Sequence, residues 1–166
     1  MDITNVSELY IPSTLDIVEM LDSNEIKDIY KDPSEINNYL TSKLQKKLTG
    51  KCNHTGYISD DIHIINRTIG KLKSTHFNGN IYYNIKLKIN ICIPQKGSHI
   101  KCKVLGINNA GVLCETHPFK IILCENIDTT LEDIEIGDEL VIEILNYKIV
   151  INDKDIKILG KLVSKL

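Results

Sequence analysis

The sequence lacks an excess of either charge: 20 lysines and arginines face 22 acidic residues among 166, a formal net charge of −2. No global basic field advertises nucleic-acid binding, so any such binding must come from a local patch. Nor is there an apolar run near the ~20 residues that a membrane-spanning helix needs. Asp2, Glu8 and Asp16 interrupt the amino-terminal end, where a signal peptide would be continuously apolar. An intracellular chain without membrane contact is expected. No CxxC pair occurs among the five cysteines, Cys52, Cys92, Cys102, Cys114 and Cys124. Cys52-Asn53-His54 and His99-x-x-Cys102 would supply two ligands each where a structural zinc takes four, so no metal is expected and the thiols read as buried and reduced. Walker, GxSxG and HExxH sequences are missing. Asp60, Asp61 and His63 lie in what reads as a turn, without a nucleophile or a pocket. The chain is therefore not read as an enzyme, and no cofactor is expected. Tryptophan is absent, whereas isoleucine, asparagine and lysine are abundant, a bias that an AT-rich genome produces.

What is present is alternation. From Ile81, the residues Tyr83, Ile85, Leu87, Ile89, Ile91 and Ile93 recur at every second position, with mostly polar residues between them. That period belongs to an extended strand, because a helix would scatter the isoleucines around its circumference. At about 3.3 Å per residue the run is roughly 40 Å long, far beyond an ordinary strand. Pro94 and Gly97 end it. Such a ribbon is expected to serve two small domains in turn.

Before the ribbon, Leu9 to Ile11 is a short apolar segment ended by Pro12. Thr14 to Leu21 fits a strand or a helical stripe, the strand being favoured. Asp32-Pro33-Ser34-Glu35 predicts a helix start, with Asp32 as N-cap. Ile36, Leu40, Leu44 and Leu48 supply its apolar stripe, Lys43, Lys46 and Lys47 complement its carbonyl end, and Gly50 suits a left-handed cap. Tyr57-Ile58 starts a strand, Asp60-Asp61 reads as a polar break, and Ile62 to Ile69 reads as a further strand ended by Gly70. Leu72 to Phe77 with Asn78-Gly79 predicts a strand and hairpin turn. This order describes an α+β domain of about eighty residues. From Gly97 the texture is all-β. Ile100 to Val104, Val112 to Glu115, Phe119 to Cys124, Glu139 to Leu145, Lys148 to Ile151 and Ile156 to Val163 read as short strands, with a helical turn in Asp128 to Asp133. Five or six such strands fit a small closed barrel.

A family resemblance rests on motifs in both halves. Gly97-x-x-Ile100-x-Cys102-x-Val104, Gly111-Val112-Leu113 and Ile136-Gly137-Asp138-Glu139-Leu140-Val141 resemble the OB-type RNA-binding domain named after the first protein of the small ribosomal subunit. The first half adds Tyr39-Leu40-x-x-Lys43-Leu44, Gly50-Lys51-Cys52, Gly56-Tyr57-Ile58, Arg67-x-x-Gly70, Phe77-Asn78-Gly79 and Pro94-x-x-Gly97. In this order they resemble the seventh, stalk subunit of DNA-directed RNA polymerase II and its archaeal and large-DNA-virus counterparts. The resemblance runs from about Leu9 to the end. It implies an α+β tip domain over residues 1–93 and a carboxy-terminal all-β OB-type barrel over residues 94–166, sharing one long strand. It further implies partners: the polymerase core subunits, a small helical fourth-subunit-like protein, and emerging single-stranded RNA. The implied place of work is the site of transcription, the nucleus or, for a viral protein, the cytoplasmic factory and virion. Three departures stand out: Met20 to Asp32 is long, the turn after Tyr57-Ile58 is short, and Gly111 is followed by Val112, which cannot stack a base, where the family often has an aromatic.

The site expectations follow from that resemblance. Gly50, Cys52, Gly56, Tyr57 and Ile58 are implied to dock on the polymerase, with Tyr57 as an anchor or else as core filling. Lys101, Lys103 and Lys120 are implied to contact RNA phosphates, and Phe119 to stack on a base; solvated strand faces and a core aromatic are the alternatives. A free-standing OB-fold RNA-binding factor in translation or RNA decay is the competing function.

Overall fold

The structure, a computed structural model, describes residues 2–29, 31–73, 75, 78–123, 131 and 133–166. In chain order the elements are β1 (Tyr10–Leu21), α1 (Ser23–Ile29), α2 (Ile36–Leu48), β2 (Tyr57–Arg67), β3 (Lys71–Leu72), β4 (Ile81–Cys92), β5 (His99–Asn108), β6 (Gly111–Thr116), β7 (Phe119–Leu123), β8 (Glu139–Lys148) and β9 (Ile156–Lys165). They form two compact units. One contains Pro12–Thr49 and Ser59–Asn90; the other contains Met1–Ile11, Gly50–Ile58 and Ile91–Leu166. Two amino-terminal segments, Met1–Ile11 and Gly50–Ile58, thus group with the barrel by contacts. Cys124, Phe77 and most of the expected turn from Asp128 lie outside the described residues.

The first unit is built on the predicted ribbon. β4 lies between β1 and β2, and β3 adds to it through Lys71 opposite Tyr82 and Leu72 opposite Ile81. Tyr83, Ile85, Leu87 and Ile89 are buried while Asn84, Lys86 and Lys88 are exposed, as the period of two requires. Asp60 and Asp61 do not interrupt β2. That strand is at the sheet's edge, and both carboxylates are exposed along it. Helix α1 was not anticipated. A reciprocal capping box starts it: the Asp22 N–H donates to the Glu25 carboxylate at 2.9 Å, and the Glu25 N–H donates to Asp22 Oδ1 at 2.8 Å. At the expected helix start, Asp32 accepts the Ser34 N–H at 3.1 Å, Pro33–Glu35 form a 3-10 turn, and α2 proper begins at Ile36. Its stripe buries Leu40 and Leu44 completely. Lys43 and Lys47 reach sideways to β1, Lys43 Nζ lying 3.6 Å and Lys47 Nζ 3.0 Å from the buried Glu19 carboxylate. Two cations around one buried carboxylate answer its desolvation. Gly50 has φ +70°, the left-handed conformation expected of it.

The second unit is a closed barrel in the order β5-β6-β7-β9-β8, with β5 also paired to β8 and β7 parallel to β9. A mostly antiparallel, five-stranded closed barrel is consistent with the expected OB type. Its interior is filled from alternate positions of every strand. Ile100, Cys102, Val104, Val112, Cys114, Phe119, Ile121, Leu140, Ile142, Ile144, Ile156 and Ile158 are all buried there. Gly160 is inward-facing for want of space: a β-carbon would sit 3.1 Å from Ile121, Ile142 and Leu123. The predicted strand at Lys148 to Ile151 is instead the end of β8 and a turn, so one long strand replaces two short ones.

Candidate functional site

The Gly50–Ile58 segment is a hairpin-like loop stitched onto the barrel unit. Gly50 N–H donates to the Ile58 carbonyl at 3.0 Å and Ile58 N–H to the Lys51 carbonyl at 3.0 Å. The Asn53 side chain accepts the N–H groups of Thr55 and Gly56 at 2.8 and 3.0 Å, an Asx turn that sets the tip. Cys52 N–H donates to the Asp153 carbonyl and Asn152 N–H to the Cys52 carbonyl, at 2.8 and 2.9 Å. Of the five expected docking residues, Cys52, Gly56, Tyr57 and Ile58 are buried, and the Tyr57 ring meets His117 edge-on at 5.1 Å. Tyr57 therefore fills core rather than standing out as an anchor. His54 and Thr55 carry the exposed edge of this loop. Burial pushes the Cys52 thiol up to about 11, with Asp153 and Asp155 adding to it, and pushes Cys92 up to about 12. Cys102 is also held well above the usual thiol range, by its hydrogen bond to Cys114 and by burial. These thiols are poor nucleophiles and poor ligands at neutral pH.

On the barrel's outer surface the strand registers align a rung of charges. Lys103 on β5 lies opposite Glu115 on β6, Glu115 opposite Lys120 on β7, Lys120 opposite Lys157 on β9, and Lys157 opposite Lys148 on β8. Lys101 is two residues along β5 on the same exposed face. The fold thus brings together Lys101, Lys103 and Lys120, which are separated in the chain. Their charge is partly answered: Lys120 Nζ lies 3.8 Å from Glu115, and Lys103 is also opposite Glu139. Phe119 has the opposite outcome. Its side chain is 0% exposed inside the barrel, so its ring has no face to offer a base. The period of two explains the pair, since Lys120 faces out only because Phe119 faces in.

A second rung was missed from the sequence. Two residues further along the same face, Leu113, Ile122 and Leu159 lie side by side on β6, β7 and β9 and are 37%, 48% and 41% exposed. The available signal was the doublets Val112-Leu113, Ile121-Ile122 and Ile158-Leu159, because consecutive aliphatics in a strand place one on each face. A shallow groove of about 370 Å³ borders this rung, between Ile122, Leu159, Asn146, Tyr147 and Lys148. No group of three or more His, Cys, Asp or Glu side chains suited to a metal occurs among the described residues.

The fold and surface define a class: a mostly β protein whose five-stranded barrel presents lysines, with an attached sheet-and-helix unit. The chain is 26% identical over 142 residues to a protein of Acanthamoeba polyphaga mimivirus named as a DNA-directed RNA polymerase subunit, covering 76% of this chain and 71% of that protein. No protein-family model matches the chain.

Proposed function

We propose that the chain is a non-catalytic subunit of a multisubunit DNA-directed RNA polymerase, specifically its stalk subunit. The similarity to the mimivirus polymerase-subunit protein carries this reading, because it extends through most of both chains and so takes in both units. The barrel topology and the lysine rung support it, being the surface that a protein reading RNA by its backbone charge would use. In this reading the chain meets the polymerase core at the exposed loop tip of His54 and Thr55, which groups with the barrel unit, beside a small helical fourth-subunit-like partner. Nascent RNA runs over Lys101, Lys103 and Lys120. The protein then works where transcription takes place, in the nucleus or in a viral factory and virion.

The test is affinity purification of the tagged full chain from the cells that make it, followed by mass spectrometry. The large polymerase subunits are expected in stoichiometric amount. Recovery without them, with RNA binding retained, would replace this reading by the free-standing RNA-binding factor.

A further inference from the structure

We infer that the outer face of β6, β7 and β9 is a docking surface for an acidic, aliphatic-rich protein segment. Three observations meet there. The side chains of Leu113, Ile122 and Leu159 form a contiguous aliphatic rung, each more than one-third exposed. The groove beside them, lined by Ile122, Leu159, Tyr147, Lys148 and Lys157 among others, is the size of a few side chains at about 370 Å³. Lys120, Lys157 and Lys148 occupy the adjoining rung, with Glu115 and Asp153 as the acids paired to it, at 3.8 Å from Lys120 and 3.5 Å from Lys157.

The chemistry selects the partner. Single strands bind by phosphate charge together with base stacking, and stacking needs exposed aromatic faces. The rung offers aliphatic side chains, the nearby Phe119 is sealed inside the barrel, and Tyr147 at the groove is half-buried against the core. Exposed aliphatics gain from being covered by other aliphatics, since that removes apolar surface from water. An extended segment with leucine or isoleucine followed two residues on by aspartate or glutamate carries both on one face, and would place its apolar side chains on Leu113, Ile122 and Leu159. Its carboxylates would then fall beside the lysine rung, where pairing adds specificity and orientation. Lys101 and Lys103, on β5, lie outside this face, and Lys120 borders both it and the proposed RNA path.

This inference does not depend on the polymerase reading, and its test does not involve a polymerase. The full chain, isotope-labelled, is titrated in an NMR experiment with the synthetic peptide Leu-Ser-Ile-Ser-Glu-Ser-Asp, with the same peptide carrying lysine in place of each acid, and with a uridine dodecanucleotide. The acidic peptide is expected to move the amide signals of Leu113, Ile122 and Leu159 with a millimolar-range Kd. Leu159→Asp, at a position 41% exposed, should weaken this about tenfold or more, as loss of an interface anchor does, with Tm measured alongside. The lysine peptide should leave these signals in place, and the oligonucleotide should move Lys101 and Lys103 instead. Absence of shifts with the acidic peptide at millimolar concentration overturns the inference. So does equal binding of the lysine peptide, stronger movement of the rung by the oligonucleotide, or a concentration-dependent dimer in sedimentation that Ile122→Asp abolishes.

Discussion

At Gly56 no side chain fits. A β-carbon there would collide with the Cys92 carbonyl oxygen and lie 2.7 Å from Ile91 Cγ2, so the obstacle is backbone and cannot swing aside. Gly56→Glu is consequently a folding lesion and a poor probe of docking, whatever the loop binds. Gly56→Ala is expected to cost ~1–3 kcal/mol, as overpacking does, read as a lower urea midpoint. The informative docking variant is His54→Glu with Thr55→Glu, because both positions are exposed and the Asx turn at Asn53 uses only backbone N–H groups of Thr55 and Gly56. It should keep the wild-type midpoint and lower the recovery of polymerase subunits in the tagged purification. Wild-type recovery would move the docking surface away from this loop.

Among the elements, α1 has a built-in acid sensitivity. Desolvation raises the Glu25 carboxyl, but the Asp22 N–H and the Lys43 ammonium outweigh it and hold it below its usual 4.5. A lowered folded value means that this stabilisation is complete above 4.5 and is lost as pH falls through the lower folded value. Glu25→Gln should therefore flatten the fall of Tm below pH 4.5 relative to wild type, and an identical acid limb in the two proteins would remove Glu25 as a cause. The Asp22-x-x-Glu25 signature was present in the sequence but stood just after an apolar run already taken as strand, so α1 went unread. Asp60-Asp61 misled in the opposite direction. Adjacent acids look like a break, yet an edge strand meets water along its side and carries them without loss of pairing. The ribbon β4 and the stripe of α2 were legible because a period of two or of about four is dictated by backbone geometry alone. Phe119 and the rung at Ile122 were not, because the choice of inward face in a short strand depends on its neighbours in the barrel. Leu87, 0% exposed at the centre of β4, tests the ribbon itself. Leu87→Ala should cost ~2–5 kcal/mol, with faster hydrogen exchange in β1, β2 and β4, and a loss below ~1 kcal/mol would mean that the site collapses around the gap.

For the whole molecule, with its net charge of −2, the proposed RNA contact would depend on local lysines acting against a weakly unfavourable overall field. Salt dependence isolates that local contribution, since each phosphate neutralised on a single strand adds about 0.7 to the slope of log K against log salt. Replacing Lys101, Lys103 and Lys120 together by alanine removes at most three such contacts, so the slope should fall by about 2. The fall should be smaller for Lys103 and Lys120 than for Lys101. Lys103 has Glu115 and Glu139 opposite it and Lys120 has Glu115 at 3.8 Å, so part of their charge is already engaged. Removing the counter-charge supplies the converse: Glu115→Gln frees Lys120, leaves Lys103 with Glu139 alone opposite it, and should steepen the slope and tighten binding to a uridine oligonucleotide. All these positions are on the barrel exterior, so the variants are expected to share the wild-type Tm, and binding can be compared without a correction for unfolding. An unchanged slope in the triple variant, combined with no gain in Glu115→Gln, would place the RNA contacts off the β5–β7 face altogether.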